Sequence, residues 1–450
     1  MSSIPVLVQI LVVFALVVVA TARKLHLGLA AGLGGVVFAV WRGLGLTSTA
    51  RVIGTELSNP DTLMLLALVT FIMIFAGGMR NSGALVRFST AVRAIAPTKR
   101  ASIVLTPILF GSLPMPGGAA LSAPLVDALD ADRSYDNSRL AAANYWFRHV
   151  LELVWPLYPS FILTSSLSGI PTSRLVLLNL YALPVLILLG LVFVFGKGSQ
   201  LEIVPSGLPG VIPEVPVRST VAGSRFSKAL QGFAPLIIVL GTFLALDGVW
   251  RIIGSGLGLS PAVSALVGRF GPVLSGLVAG CIHVVLHAEQ PGCFRGTLHL
   301  GTLKLAGVIA GIRVFSALLS AGNAATASAA ELAMIGVSPI LAAVILPFVA
   351  GLVTGVGFGY VGLAFPILMG LFPSSGGDLP REAAVALAGA FGYAGMMLSP
   401  LHVCMVLTAE HFKTGLAATI RCFILPLCLF MVIVLVYVAL LSSFLSLPGL

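Results

Sequence analysis

Charge is scarce in this chain. Asp, Glu, Lys and Arg make up 9% of its 450 residues, against about 25% in an ordinary soluble domain. Hydrophobic residues make up 58%, more than a soluble core of this size needs, so the chain reads as an integral, polytopic membrane protein. Cysteine is scarce as well. Cys281, Cys293, Cys404, Cys422 and Cys428 mostly sit in apolar runs, and no two form a CxxC. That spacing excludes a disulfide framework and a zinc-ribbon pattern, and the five read as small apolar residues. No GxxxxGK[ST] loop occurs, which argues against ATP-driven transport by this chain alone. No basic residue precedes the first apolar run, "IPVLVQILVVFALVVVATA", whereas Arg23 and Lys24 follow it. A signal peptide has the reverse order, so this run is expected to remain as a first membrane helix with its N-terminus outside the cytoplasm.

What is abundant is apolar sequence in membrane-length stretches. A spanning helix needs about 20 apolar residues, and about ten stretches qualify: 4–21, 27–45, 60–79, 138–165, 173–196, 229–249, 270–288, 300–320, 382–409 and 417–445. Two more, 101–128 and 338–372, are broken in the middle by Gly and Pro, and each is read as a re-entrant hairpin. The expected fold is therefore all-α and polytopic, with about ten transmembrane helices plus two re-entrant hairpins. With the N-terminus outside, most of the 25 Lys and Arg residues fall on the cytoplasmic side. Arg42, Arg51, Arg174, Arg251, Arg269 and Arg381 fall outside, and Arg148 and Arg313 within spans. This bias fits the positive-inside rule and places both termini outside the cytoplasm. It also accounts for the +10 net charge, so no nucleic-acid partner is expected.

Residues 197–228, rich in Pro, Gly and Ser, form a cytoplasmic linker between halves 1–196 and 229–450. The halves repeat. Residues 75–111 align without a gap on 315–351, pairing Phe75 with Phe315, Pro107 with Pro347 and Gly111 with Gly351. Each copy then reaches its hairpin, "SLPMPGGAALSAP" or "LVTGVGFGYVGLAFP", and a later span broken at Pro156 or Pro400. An ordered series of matched helix breakers is harder to obtain by chance than matched Leu and Val. An odd number of crossings separates the copies, so the repeat is expected to be inverted, as in many secondary transporters. Within each half a scaffold (1–58, 229–288) is distinguished from a hairpin with its broken helix (101–165, 338–409).

Irregular backbone at membrane depth is tolerated where it lines a cavity, and its free amides and carbonyls can then hold a substrate or ion. The hairpin candidates are Ser112, Pro114, Pro116, Gly117, Gly118 and Ser122 in the first, and Thr354, Gly355, Gly357, Gly359 and Tyr360 in the second. Small residues at helix contacts would produce the same runs. The segment "NYWFRHVLELVWPLYP" adds Arg148, His149 and Glu152 inside an apolar span. A charge at the bilayer centre costs about 2.5–3.5 kcal/mol on insertion scales, so such groups are either paired or functional. Arg148 and Glu152, four apart, are expected to share a helix face. They could be a structural ion pair, or Arg148 could hold an anion while Glu152 or His149 handles a coupling proton. Asn144, Asn81, Asn323, Ser399 and Thr408 are polar companions. His283 and His287 stand at a metal-capable spacing, but Val284 occupies the place where HExxH needs glutamate. They read as an interfacial pair, and no metal is expected. A carboxylate partner is expected for Arg313.

The stretches "GSLPMPGGAALSAP", "ANYWFRHVLELVWPLYP" and "LSPLHVCMVLTAEHF" resemble an uncharacterised prokaryotic membrane family, domain-of-unknown-function family 401, over essentially the whole chain. That family is grouped in the ion transporter superfamily with gluconate, citrate, dicarboxylate and lactate permeases. The resemblance implies an elevator-type secondary transporter in the prokaryotic inner membrane, with two hairpins and a homodimeric assembly. Dicarboxylate relatives carry Ser-Asn-Thr at both hairpin tips. The tips here are Pro-Met-Pro-Gly-Gly and Thr-Gly-Val-Gly-Phe-Gly, which argues against a dicarboxylate. The expected function is ion-coupled transport, by Na⁺ or H⁺ and without a cofactor, of a small organic anion such as a carboxylate or sugar acid. A structural or receptor-like membrane protein and an intramembrane metal-dependent enzyme are the alternatives.

Overall fold

The computed structural model describes residues 4–84, 87, 91, 95–96, 98–113, 118–195, 225–288, 291–298, 300–334, 338–372 and 379–445. The chain is an all-α membrane protein. Seven helices among the described residues are long and apolar enough to cross a bilayer: Pro60–Asn81, Thr172–Val194, Leu230–Ile253, Pro261–Leu286, Leu300–Ala321, Arg381–His411 and Leu416–Leu445. Shorter apolar helices accompany them. The linker expected at 197–228 lies, up to residue 224, outside the described residues.

Helices α1 (Val6–Ala22) and α2 (Leu27–Trp41) open the chain. An amphipathic helix α3 (Leu46–Leu57) follows, which the apolar count over 27–45 did not anticipate because only Thr49 in it is buried. Helix α4 (Pro60–Asn81) begins where Asn59 accepts from the Asp61 amide and Pro60 takes the first position, a position that needs no N–H. Two short helices in contact, α5 (Lys99–Gly111) and α6 (Ala119–Leu129), occupy the first broken stretch. In the second half, α13 (Leu300–Ala321) and α14 (Ala324–Met334) precede the matching pair α15 (Pro339–Thr354) and α16 (Gly357–Leu371). The remaining helices are α7 (Asn137–Arg148), α8 (Pro159–Ser168), α9 (Thr172–Asn179), α10 (Ala182–Leu189, continued by a π-helical turn), α11 (Arg225–Ile253), α12 (Pro261–Leu286), α17 (Arg381–Leu398), α18 (Val403–His411) and α19 (Leu416–Leu445).

The stretch 138–165, expected as one span, is two helices, α7 and α8, joined by turns through residues 149–158. Pro156 has no amide to donate and disfavours helix in the residue before it. Pro159 then supplies a preset first position for α8. The second-half counterpart breaks over 399–402, between α17 and α18.

Glycine sets how closely these helices approach. In α15 against α17, a Cβ at Gly351 would meet the Gly392 carbonyl, and one at Gly395 would meet the Phe348 carbonyl. In α5 against α7, a Cβ at Gly111 would meet the Arg148 carbonyl. Gly111 and Gly351 thus act alike in the two halves: each seats its helix on the backbone of the second helix after it, α7 or α17. Helix α13 lies along α2 by a similar device, with Gly311 facing the Gly28 backbone. Arg313 on α13 forms an ion pair with Glu56 at 2.8 Å and donates to Thr62, which supplies the expected carboxylate and ties α3 and α4 to α13.

Candidate functional site

Each break leaves backbone groups without helical partners, and aromatic side chains satisfy some of them. Trp155 donates to the Ser112 carbonyl at 2.8 Å, and the Tyr158 hydroxyl to the Gly111 carbonyl at 2.5 Å. Both donors lie in the first break and both acceptors at the end of α5, so the break and α5 are fastened together. Arg381 donates to the Phe372 and Met369 carbonyls, covering the last turn of α16. In the second break, Ser399 Oγ accepts from the Leu401 amide. Gly355, which ends α15, has φ +64°. A side chain is strained in that conformation, and a Cβ there would press on the His402 amide.

The two breaks and the turn between α15 and α16 surround a cavity of about 160 Å³. Its walls include Arg148, His149, Glu152, Tyr158 and Ser160 from the first half, and Gly355, Gly357, Met396, His402 and Cys404 from the second. Arg148 is 3% exposed, and among the described residues its Nη1 has no hydrogen-bond partner. The guanidinium lies against Gly118, where any Cβ would collide with Nη2. Gly357 similarly leaves room for the Glu152 carboxylate, which accepts from Ser160 Oγ at 3.0 Å.

The expected Arg148–Glu152 pairing on one helix face is not present. Helix α7 ends at Arg148, so the four-residue spacing no longer stacks the two, and no ion pair joins them among the described residues. They enter the same cavity separately. His149, next to Arg148, donates from Nδ1 to the Tyr145 carbonyl at 2.7 Å. Its Nε2 stands 3.1 Å from His402 Nε2.

Of the residues singled out in the sequence, Arg148, His149, Glu152, Gly355 and Gly357 line the cavity, and Gly118 touches Arg148. Ser112 anchors Trp155. Ser122 is buried within α6 and bonds its own helix at 3.5 Å. Asn144 donates to Thr408 at 3.0 Å, a buried bond between α7 and α18. Thr354 bonds back to Ala350, and a Cβ at Gly359 would meet that threonine. Tyr360 packs over Gly392 and lines a smaller cavity behind Glu152. Ser399 caps the break as described above. Pro114, Pro116 and Gly117 lie outside the described residues.

His402 and Cys404 were not singled out. Histidine beside a helix break carried a signal of its own, but Cys404 reads as one more small apolar residue in "HVCMVL". The rings of His283 and His287 stack at 4.1 Å, with His287 donating to the His283 carbonyl.

The family described as "Protein of unknown function (DUF401)" matches residues 3–212 and 272–442. No curated protein matches the chain significantly. Among the solved structures that match the chain, two superpose over most of its length. The YdaH transporter of Alcanivorax borkumensis, described as having an unusual topology, superposes with a TM-score of 0.58 at 14% identity, over 90% of each chain. MtrF of Neisseria gonorrhoeae, described as illuminating a class of antimetabolite efflux pumps, gives 0.56 at 14% identity, over 90% of this chain and 86% of its own. At that identity the likeness is one of fold.

Proposed function

The chain belongs to the DUF401 family of proteins of unknown function, and on that premise, joined to its site, we propose that it is a secondary active transporter of a small organic anion such as a carboxylate or sugar acid. One observation carries the reading: both helix breaks and the turn between α15 and α16 converge on one cavity, whose Arg148 guanidinium has a buried donor, Nη1, with no hydrogen-bond partner among the described residues. A buried donor left unsatisfied is costly, and an anion arriving in the cavity would satisfy it. The cavity is smaller than the roughly 300–1,000 Å³ typical of drug-sized sites, which suits a small metabolite. Likeness to solved transporters in fold is consistent with this reading.

In the proposed architecture the two halves are an inverted repeat, α5–α6 and α15–α16 are re-entrant hairpins, and the first gates the cytoplasmic side while the second gates the outer side. The matched seats of Gly111 and Gly351 favour the repeat. Helices α1–α3, α11 and α12 would form the scaffold over 1–58 and 229–288, α13 would join them through its seat on α2, and this scaffold would also carry a homodimer contact. Coupling to Na⁺ or H⁺ would use the break carbonyls or the Glu152 carboxylate. This fits a prokaryotic inner membrane with both termini outside the cytoplasm.

The direct test is a thermal-shift screen of purified protein against small carboxylates, sugar acids and inorganic anions, with and without Na⁺, followed by uptake into proteoliposomes. A ligand is expected to raise the melting temperature progressively with concentration and to accumulate in the vesicles. Binding without uptake would support a receptor, and neither would end the proposal. Orientation is tested separately with Ile212→Cys in the linker. An impermeant maleimide is expected to label it only after permeabilisation of whole cells, and labelling of intact cells would overturn the topology.

A further inference from the structure

We infer that His149, His402 and Cys404 form a binding site for a borderline transition-metal ion of the Zn²⁺ class, open on one side to the cavity. The three side chains are buried. One ligand atom from each lies within 4.8 Å of the others. They come from the two breaks: His149 directly follows α7, while His402 and Cys404 enter α18. Sequence distance therefore hid the set, since 253 positions separate the two histidines.

The spacing suits one ion. Two imidazole nitrogens bound tetrahedrally at about 2.0–2.1 Å stand about 3.3 Å apart. His149 Nε2 and His402 Nε2 are 3.1 Å apart, so they need almost no movement. A thiolate at about 2.3 Å from the same ion would lie about 3.5 Å from each nitrogen, a contraction from the present arrangement, in which the three atoms lie within 4.8 Å of one another. His149 is also oriented for the task. Its Nδ1 faces the Tyr145 carbonyl at 2.7 Å, and a carbonyl can only accept. The proton is thus on Nδ1 and the Nε2 lone pair faces the cluster, the arrangement that ligating histidines usually adopt. His402 Nδ1 has no partner among the described residues, so no second bond fixes that ring's proton away from Nδ1, and Nε2 can serve as ligand.

Two imidazoles and a thiolate favour Zn²⁺-like ions over Na⁺, Mg²⁺ or Ca²⁺, which prefer oxygen. Three protein ligands leave a fourth position, and the cavity supplies space for it next to Arg148 and Glu152. An exogenous water or anion would complete the tetrahedron. The His283–His287 pair is a poorer candidate, because no third ligand joins it among the described residues.

Co²⁺ serves as the probe, since it reports sulfur ligation spectroscopically. The protein would carry alanine at Cys281, Cys293, Cys422 and Cys428, be stripped with chelator in detergent, and be titrated with Co²⁺ and then Zn²⁺. One equivalent of Co²⁺ is expected to give a thiolate-to-metal charge-transfer band in the near ultraviolet and tetrahedral visible bands, both erased by Zn²⁺. Cys404→Ser is expected to abolish the charge-transfer band. His402→Ala should weaken Zn²⁺ at least about 100-fold, since loss of even an outer-sphere partner costs 10–100-fold. A His283→Ala/His287→Ala double variant should leave the spectrum unchanged. The inference is overturned if the parent protein binds no Co²⁺ with sulfur ligation, whatever the variants do, or if the band survives Cys404→Ser. It does not depend on the transport reading, because metal binding is measured without any substrate and uptake is measured in proteoliposomes.

Discussion

Uptake is expected to fall to background when α16 is locked to α13 by a disulfide, and to return on reduction. Helices α5 and α6 pack on α7 and α18, so in the proposed mechanism these four would move together. The surface that would slide is then the one where α16 meets α13. Helix α13 is fixed to α2 and α3 by glycine packing and by the Arg313–Glu56 pair. Gly362 on α16 faces the Ile312 side chain directly, with a Cβ at 362 placed 2.5 Å from Ile312 Cγ1. Ile312 Cβ, one bond beyond Cγ1, therefore lies no more than about 4 Å from a Cβ at 362, close to the separation of about 3.5–4.5 Å that a disulfide needs, and Ile312→Cys removes the side chain in the way. A ligand can bias exchange between inward and outward states only through its different affinity for each. The locked protein should accordingly still bind ligand in a thermal-shift assay while transporting none. Persistent uptake with the crosslink fully formed, judged by mass spectrometry, would refute the sliding mechanism and favour local gating.

Replacing Arg148 is expected to separate binding from stability. Arg148→Met should weaken an anionic ligand by about 100-fold, or about 3 kcal/mol, the upper range for a buried hydrogen bond to a charged group. Breaking a buried ion pair usually costs about 3–5 kcal/mol of stability. Here no carboxylate pairs with Arg148 among the described residues and Nη1 is unsatisfied, so an apolar side chain of similar length should leave the melting temperature unchanged or raise it. Arg148→Lys keeps the charge but loses the planar fork, and should fall between the two. If Arg148→Met is strongly destabilised yet binds ligand normally whenever it folds, the arginine is structural.

Membrane class, the two stretches that break into short helices and the two broken spans were legible in the sequence, because each depends on local chemistry. Long apolar runs have to lie in lipid, and Pro and Gly disrupt a helix wherever they stand. The 101–128 and 338–372 stretches did become paired short helices, and Pro156 and Pro400 did mark interruptions. Arg148 and Glu152 were recognisable because ionisable groups in an apolar run are expensive anywhere. Their relation was misread, since periodicity assumes a continuous helix and α7 stops at Arg148.

What the tertiary structure decided is which breaks meet. Nothing local to "LSPLHVC" says that its histidine will stand 3.1 Å from one in "WFRHVLE", because that distance depends on how α7 and α18 pack across the two halves. Cys404 looked apolar for the same reason: a thiol has no character as a ligand until other ligands surround it. The sequence by itself settled where the backbone has to open. Packing through Gly111, Gly351 and Gly395, where only a hydrogen fits, settled what those openings enclose.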